Sequence, residues 1–338
     1  MVFLHHVELP GLFPLTKGLD RGVIVFFVLS GYLLYGQFLR AAQRGTRFEP
    51  TTYAIRRAAR ILPAYLFAAF VVAWARYPWM LNDPVGLALT TDSSIAVVWT
   101  LQIEILFYAT LPIGAAVLMR FREEVRLRLI VLASALSLLG TIVLMAVELM
   151  TAGVVFASDV SSYASFLWAF GAGMFVAELD AKGALSRPAG ARWAAVGVLF
   201  IAFGTLAQIP RFLDVISGIG AAALIAWVVS RPAKSRGFRQ LAIAGGALSY
   251  SVYLWHHAVI EAVNRPDPSW GGAVLAAVIT VSIAVVAYVL VERPGIAVGR
   301  WVSGKLRELR VDRDAVGMPV VYEPMAIEAA GAPQSPHG

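Results

Sequence analysis

Glu104 is the side chain in this sequence whose setting points most strongly to chemistry. It lies several residues inside WTLQIEILFYATLP (Trp99 to Pro112), a segment that is otherwise apolar on all sides. A lone carboxylate in such a segment needs a partner or a water-filled cavity, because a charge is costly to place in hydrocarbon. We therefore predict a functional role for Glu104, with a structural hydrogen bond to a neighbouring helix as the alternative.

Two arginines form the second candidate site. Arg57 and Arg60 lie three positions apart in YAIRRAARILPAY, so they share one face of a helix. Such a pair can bind an anionic group, phosphate especially, through paired N–H donors. The alternative is that the two arginines only mark the end of a membrane span and contact lipid headgroups.

Four of the five histidines occur as adjacent pairs. His256 and His257 lie deep in SYSVYLWHHAVIEAV, close to Tyr253, whereas His5 and His6 follow the apolar start MVFL. The first pair could instead be hydrogen-bonded between helices, and the second could be part of a frayed terminus. The spacings of the histidines match no metal motif and the chain has no cysteine, so we expect no metal site and no thiolate chemistry.

The composition indicates that a lipid bilayer is the solvent in which these residues are placed. Of the 338 residues, 59% are hydrophobic and only 14% are charged, and the mean hydropathy is +0.73. A soluble domain has roughly a quarter charged residues. Nine apolar stretches have about the length of the hydrocarbon core, and they fall at 22–39, 61–76, 97–118, 128–149, 162–178, 193–209, 212–230, 241–263 and 273–292.

The fold class predicted from these stretches is all-α: a polytopic transmembrane helical bundle of about nine spans plus a remnant of a first helix. Alternation of the connecting loops places 23 of the 28 basic residues on one side of the membrane. Because Lys and Arg accumulate in cytoplasmic loops, we predict that this side and the C-terminus are cytoplasmic. The excess of positive charge is then explained by the orientation of the protein in the membrane. We therefore expect no nucleic-acid partner.

Three regions follow from this organisation. Residues 1–295 form the transmembrane bundle, and residues 296–310 read as an amphipathic cytoplasmic helix on the anionic inner leaflet. Residues 311–338 are rich in Pro, Ala and Gly and are predicted to be a disordered cytoplasmic tail.

The order of five segments along the chain resembles the acyltransferase 3 family of membrane O-acyltransferases. The segments are GVIVFFVLSGYLLYG (Gly22 to Gly36), YAIRRAARILPAY (Tyr53 to Tyr65), WTLQIEILFYATLP, ALSYSVYLWHHAVI (Ala247 to Ile260) and YVLVERP (Tyr288 to Pro294). The resemblance covers almost the whole membrane part. It implies a bundle of about ten helices in the inner membrane of a bacterial cell.

The resemblance also implies an activity and residue roles. Family members transfer acyl groups, usually acetyl from acetyl-CoA, to sugar hydroxyls of surface glycans, glycolipids or secreted metabolites. Acetyl-CoA or another acyl-CoA would be a co-substrate, and no cofactor would be bound permanently. The resemblance implies that His5, in preference to His6, is the catalytic histidine. It also implies that Arg57 and Arg60 bind the acyl donor. We expect Glu104 to orient His5. Further candidates are Tyr108, Tyr253, His256 and His257.

The sequence departs from the family pattern near its start. The family has a basic residue upstream of its histidine, further back than Met1 reaches, so we expect an N-terminally short member. Ile24 and Ile105 stand where acidic residues are usual, and only 38 residues separate Arg60 from Trp99. The alternative function is therefore a non-catalytic membrane scaffold, or a glycan or lipid translocation factor, built on the same fold.

Overall fold

A computed structural model of the chain describes residues 1–7, 9, 11, 16–46, 48–82, 98–150, 166–185, 191–206, 212–231, 235–265 and 268–315. Every regular element in these ranges is helical. The all-α prediction is therefore confirmed for the part of the chain that the structure describes.

The helices follow the predicted apolar stretches closely. They are α1 (Val2–His6), α2 (Gly22–Gln43), α3 (Pro50–Arg76), α4 (Val98–Leu118), α5 (Glu123–Met150), α6 (Leu167–Ala181), α7 (Ala191–Leu206), α8 (Phe212–Val229), α9 (Arg236–Val263), α10 (Trp270–Ala287) and α11 (Arg293–Ala315). Short 3₁₀ turns occupy Lys17–Arg21 and Pro78–Asn82, and a π turn occupies Tyr288–Glu292.

Several of these helices have the length and composition of membrane spans. Within the described ranges five stretches qualify, namely Gly18–Gln43, Pro50–Arg76, Thr100–Leu118, Glu123–Val143 and Trp270–Leu309. Two shorter apolar helices accompany them, Trp193–Phe203 and Asp214–Val229. The protein is therefore a multi-pass membrane protein, and the count of nine spans stays a prediction.

A close helix contact joins α2 to α6 through glycines. A Cβ atom on Gly31 of α2 would collide with the backbone oxygen of Phe170 on α6, and one on Gly173 of α6 would collide with the backbone of Val28 and Tyr32 on α2. Small residues permit such close approach of backbones in membranes. Gly31 and Gly173 thus allow the backbones of α2 and α6 to come into direct contact.

One end of the bundle, which we call the basic end, is held by a buried ion pair. Glu178 of α6 is fully buried. The Nε and Nη2 atoms of Arg126 on α5 donate to its two carboxylate oxygens at 2.8 and 3.1 Å, and the Tyr35 hydroxyl on α2 donates at 2.7 Å. Helices α2, α5 and α6 are thereby fixed to one another at this end.

Helix α11 also lies at the basic end, packed against α3. Pro294 cannot donate a backbone hydrogen bond, and the π turn precedes it, after which the chain continues helically to Ala315. A Cβ atom on Gly295 would lie 2.8 Å from the backbone oxygen of Ala59, and Arg56 Nε donates to Ser303 Oγ at 3.0 Å. The helix thus extends past the predicted end at residue 310, and residues 316–338 lie outside the described ranges.

The opposite end, which we call the histidine end, is tied together by contacts among α1, α3 and α9. The amide nitrogen of Asn264, just after α9, donates to the carbonyl oxygen of Val7, just after α1, at 2.5 Å. Arg76 at the end of α3 binds Glu261 of α9 at 2.6 Å. These contacts fix the short helix α1 against α9, with both histidine pairs on facing segments.

We expect Gly173→Leu to disrupt folding, because its side chain would meet backbone atoms of α2 that cannot move aside. The cost should be at or above the upper end of the ~1–3 kcal/mol typical of overpacking. Size-exclusion chromatography and thermal melting in detergent would measure it. The matched control is Gly114→Leu, since a Cβ atom there meets no atom within 4 Å. Equal melting temperatures for the two variants would contradict the packing described.

Candidate active site

Two cavities meet in the middle of the bundle. The first, the histidine cavity, has a volume of about 390 Å³ and is lined by the start of α1 and by parts of α2, α4 and α9. The second, the arginine cavity, has a volume of about 360 Å³ and lies between α2, α3, α4 and α9. Four residues line both cavities, and they are Phe26, Glu104, Ser249 and Tyr250. Glu104 is the only ionisable carboxylate among these four.

Glu104 has few compensating contacts for a buried carboxylate. Its side chain is 4% exposed, and Ser30 Oγ on α2 donates to its Oε1 at 3.4 Å, which is a long hydrogen bond. Arg57 and Arg60 line the arginine cavity together with Glu104. The predicted pairing of Glu104 with His5 stays a prediction, since the recorded hydrogen-bond donor is Ser30.

The two predicted arginines face the arginine cavity together with Arg40 of α2. The guanidinium of Arg57 lies between two aromatic rings, 5.7 Å from the centroid of Tyr53 and 5.8 Å from that of Tyr108. Arg57 Nε is buried and has no hydrogen-bond partner within the described ranges. A buried donor of this kind is costly unless an acceptor occupies the cavity.

The four predicted histidines converge at the histidine end. The ring of His6 lies in the middle, with centroid distances of 4.8 Å to His5, 5.3 Å to His256 and 4.8 Å to His257. In the part of the chain that the structure describes, no three His, Asp or Glu residues form a group suited to a metal ion. Of these four histidines, only His256 is among the residues that line the two cavities.

His256 and Tyr253 face the histidine cavity, each with a distinct polar contact. His256 Nδ1 lies 2.6 Å from the backbone oxygen of Tyr253, and its Nε2 is buried without a hydrogen-bond partner in the described ranges. The Tyr253 hydroxyl lies 2.5 Å from Thr100 Oγ1. Thr100 is one helical turn before Glu104, so both side chains project from the same face of α4.

His257 turns away from the cavity toward an ion-pair group. Its Nε2 lies 3.7 Å from Glu261 Oε1, and Glu261 also binds Arg76 at 2.6 Å and Arg265 at 3.0 Å. Two arginines already compensate Glu261, so this group reads as structural support for the histidine end.

The sequence found most of this site and missed part of it. His5, His6 and His257 are not among the residues that line the two cavities. Arg40 was missed as a site residue because it reads like any other arginine at the end of a span. Thr100 was missed as well, although its spacing of four from Glu104 could have placed it on the same face.

These features define a multi-pass helical membrane protein with a buried polar site that is divided between a cationic and a histidine-lined cavity. Comparison with known families identifies the class more closely: the chain belongs to the acyltransferase 3 family, whose sequence profile, described as an acyltransferase domain, matches residues 1–292. The protein is thus an acyltransferase that transfers groups other than aminoacyl groups. No solved structure is a significant match to the fold.

Three relatives extend this assignment. ExoZ of Rhizobium meliloti, an exopolysaccharide production protein, is 28% identical over 319 residues, which cover 82% of this chain and 90% of ExoZ. BcsY of Komagataeibacter xylinus, which carries the name of a membrane-bound transacylase, is also 28% identical, over 83% of this chain and 77% of BcsY. The peptidoglycan O-acetyltransferase OatA of Listeria monocytogenes is 24% identical over 83% of this chain, and the match spans 52% of OatA.

Two of the buried carboxylates of the bundle, Glu104 and Glu178, should respond differently to mutation. Glu104→Gln keeps an oxygen that accepts from Ser30, so we expect unchanged thermal stability but a loss of acyl transfer of about 100-fold or more. Arg126→Met leaves Glu178 buried without its cation, which should cost about 3–5 kcal/mol of stability. Thermal melting and transfer assays on both variants would measure this. A stability loss in Glu104→Gln as large as in Arg126→Met would show that Glu104 is structural.

Proposed function

We propose that this protein transfers an acetyl or other short acyl group from acyl-CoA to a sugar hydroxyl in a surface glycan, a glycolipid or a secreted metabolite. The observation that carries the proposal is the position of Glu104 in the wall shared by the arginine and histidine cavities. A donor bound at one side and an acceptor bound at the other would meet at this residue.

The arginine cavity is the proposed donor site. Coenzyme A carries several phosphate charges, and arginine binds phosphate through paired N–H donors. Arg40, Arg57 and Arg60 line one cavity, and the buried Arg57 Nε has no partner in the described ranges. Because cytoplasmic loops collect basic residues, the basic end is assigned to the cytoplasm of a bacterial cell, where acyl-CoA is made. The protein would then lie in the inner membrane with its C-terminus inside.

The histidine end is the proposed acceptor site. Acyl transfer to a hydroxyl needs a base for the hydroxyl proton and a group that stabilises the developing charge. A neutral imidazole is suited to the first role, and the family resemblance assigns it to His5, with His6 beside it. Glu104 would stabilise the imidazolium formed. A carbohydrate acceptor is supported by the names of OatA and ExoZ, which refer to peptidoglycan O-acetylation and exopolysaccharide production.

Radiolabelled acetyl-CoA tests the reaction directly. Membranes that contain the protein, mixed with the exopolysaccharide and lipid fractions of the producing cells, should gain label that mild alkali releases as acetate, because O-acetyl esters are alkali-labile. His5→Ala and His6→Ala should each be compared with the wild type at equal protein levels. Loss of a general base lowers the rate by about 10²–10⁴-fold. Full activity in His5→Ala would remove His5 as the base, and no transfer by the folded wild type would favour the non-catalytic alternative.

Donor binding has its own matched pair of variants. Arg57→Ala should raise KM for acetyl-CoA by about 10- to 100-fold, the worth of a charge-assisted hydrogen bond. Arg56→Ala should leave KM unchanged, because the adjacent Arg56 binds Ser303 of α11 and does not line the cavity. Initial rates over a range of acetyl-CoA concentrations would measure both values. Equal effects of the two substitutions would contradict the assignment of the donor site.

A further inference from the structure

The imidazole of His256 is held in one tautomer by its own helix. Its Nδ1 lies 2.6 Å from the backbone oxygen of Tyr253, three residues earlier on α9. A carbonyl oxygen accepts hydrogen bonds and cannot donate them, so Nδ1 must carry a proton. In the neutral ring Nε2 is then the nitrogen with the free lone pair.

The surroundings of Nε2 require that it stay unprotonated while the site is empty. His256 is 1% exposed, and Nε2 has no hydrogen-bond partner within the described ranges. A proton on Nε2 would create a buried cation whose N–H has no acceptor, which is strongly unfavourable. The lone pair therefore has no hydrogen-bond donor within the described ranges.

The side chain of His256 lies among groups that acyl transfer could use. His256 lines the histidine cavity together with Glu104 and the hydrogen-bonded hydroxyls of Thr100 and Tyr253. The ring of His6 packs against it from α1 at a centroid distance of 5.3 Å. By contrast, His5 is not among the residues that line this cavity.

We infer that Nε2 of His256 accepts the proton of the acceptor hydroxyl, an inference that rests on the proposed acyl transfer. The hydroxyl oxygen bonds to the thioester carbonyl carbon while its proton moves to Nε2. The carbon–sulfur bond then breaks, and the coenzyme A thiolate takes the proton from Nε2 to leave as the free thiol. His256 thus competes with the histidines of α1 for the role of base, and the two assignments have separate tests.

His256→Asn separates the chemical role of this residue from its structural role. The asparagine amide nitrogen can take the place of Nδ1 and donate to the Tyr253 carbonyl oxygen, but asparagine has no basic nitrogen. We expect kcat to fall by at least about 100-fold, while KM for acetyl-CoA and the melting temperature stay at wild-type values. Thr280→Val is the matched control, because the Thr280 hydroxyl is also buried without a partner in the described ranges and lies outside both cavities.

A second variant tests the same lone pair by chemical rescue. His256→Ala should lose activity and regain part of it when imidazole is added, because imidazole can occupy the space left by the side chain and accept the proton. Retention of more than a tenth of kcat in His256→Asn would overturn the inference. It would also be overturned if both variants lost activity, had a lowered melting temperature and gained no activity from added imidazole. These outcomes leave wild-type transfer intact, whereas a wild type that transfers no acetyl would overturn the proposed function itself.

Discussion

A carboxylate buried inside a membrane-spanning bundle is the constraint on which this structure depends. Hydrocarbon cannot stabilise a charge. The protein must therefore place compensating groups beside a buried carboxylate or leave a polar cavity next to it. Glu104 receives one long hydrogen bond from Ser30, shares the arginine cavity with Arg57 and Arg60, and also borders the histidine cavity. Its carboxyl group is therefore incompletely paired within the described residues, as expected if it works on a bound molecule.

Glu178 shows what a purely structural solution looks like in the same bundle. It accepts two hydrogen bonds from Arg126 and one from Tyr35, and it is fully buried away from both cavities. This ion pair, together with the glycine contact of α2 and α6, makes one side of the bundle rigid. The frame thereby holds α2 in place, and with it Ser30 beside Glu104.

The sequence predicted those parts of the protein that depend on local pattern. Apolar length placed α2 to α10, and isolated polar residues pointed to Glu104, to the arginine pair on α3 and to the histidine pairs. Contacts between distant segments could not be predicted in this way. Nothing in the sequence shows that Asn264 binds Val7, that α11 packs on α3, or that Glu104 borders two cavities, because each depends on how helices pack in three dimensions.

The choice among the histidines illustrates the same limit. Family resemblance favoured His5 from its place after an apolar run, and it could not weigh His5 against His256. The difference lies in a backbone contact and a buried nitrogen atom, which only coordinates reveal. Resemblance therefore identified the type of residue, and the geometry adds a candidate for the proton-accepting atom.

The chain has no cysteine, so a single introduced thiol can report whether the donor reaches Glu104 through the arginine cavity. In Ser30→Cys, the rate of thiol labelling should fall when a non-reactive thioether analogue of acetyl-CoA is added. Adenosine 3′,5′-bisphosphate, which carries two of the three phosphate groups of coenzyme A and lacks the pantetheine arm, should leave the labelling rate unchanged. Equal protection by both compounds, or no protection by a saturating concentration of the analogue, would contradict a donor that extends from the arginines to Glu104.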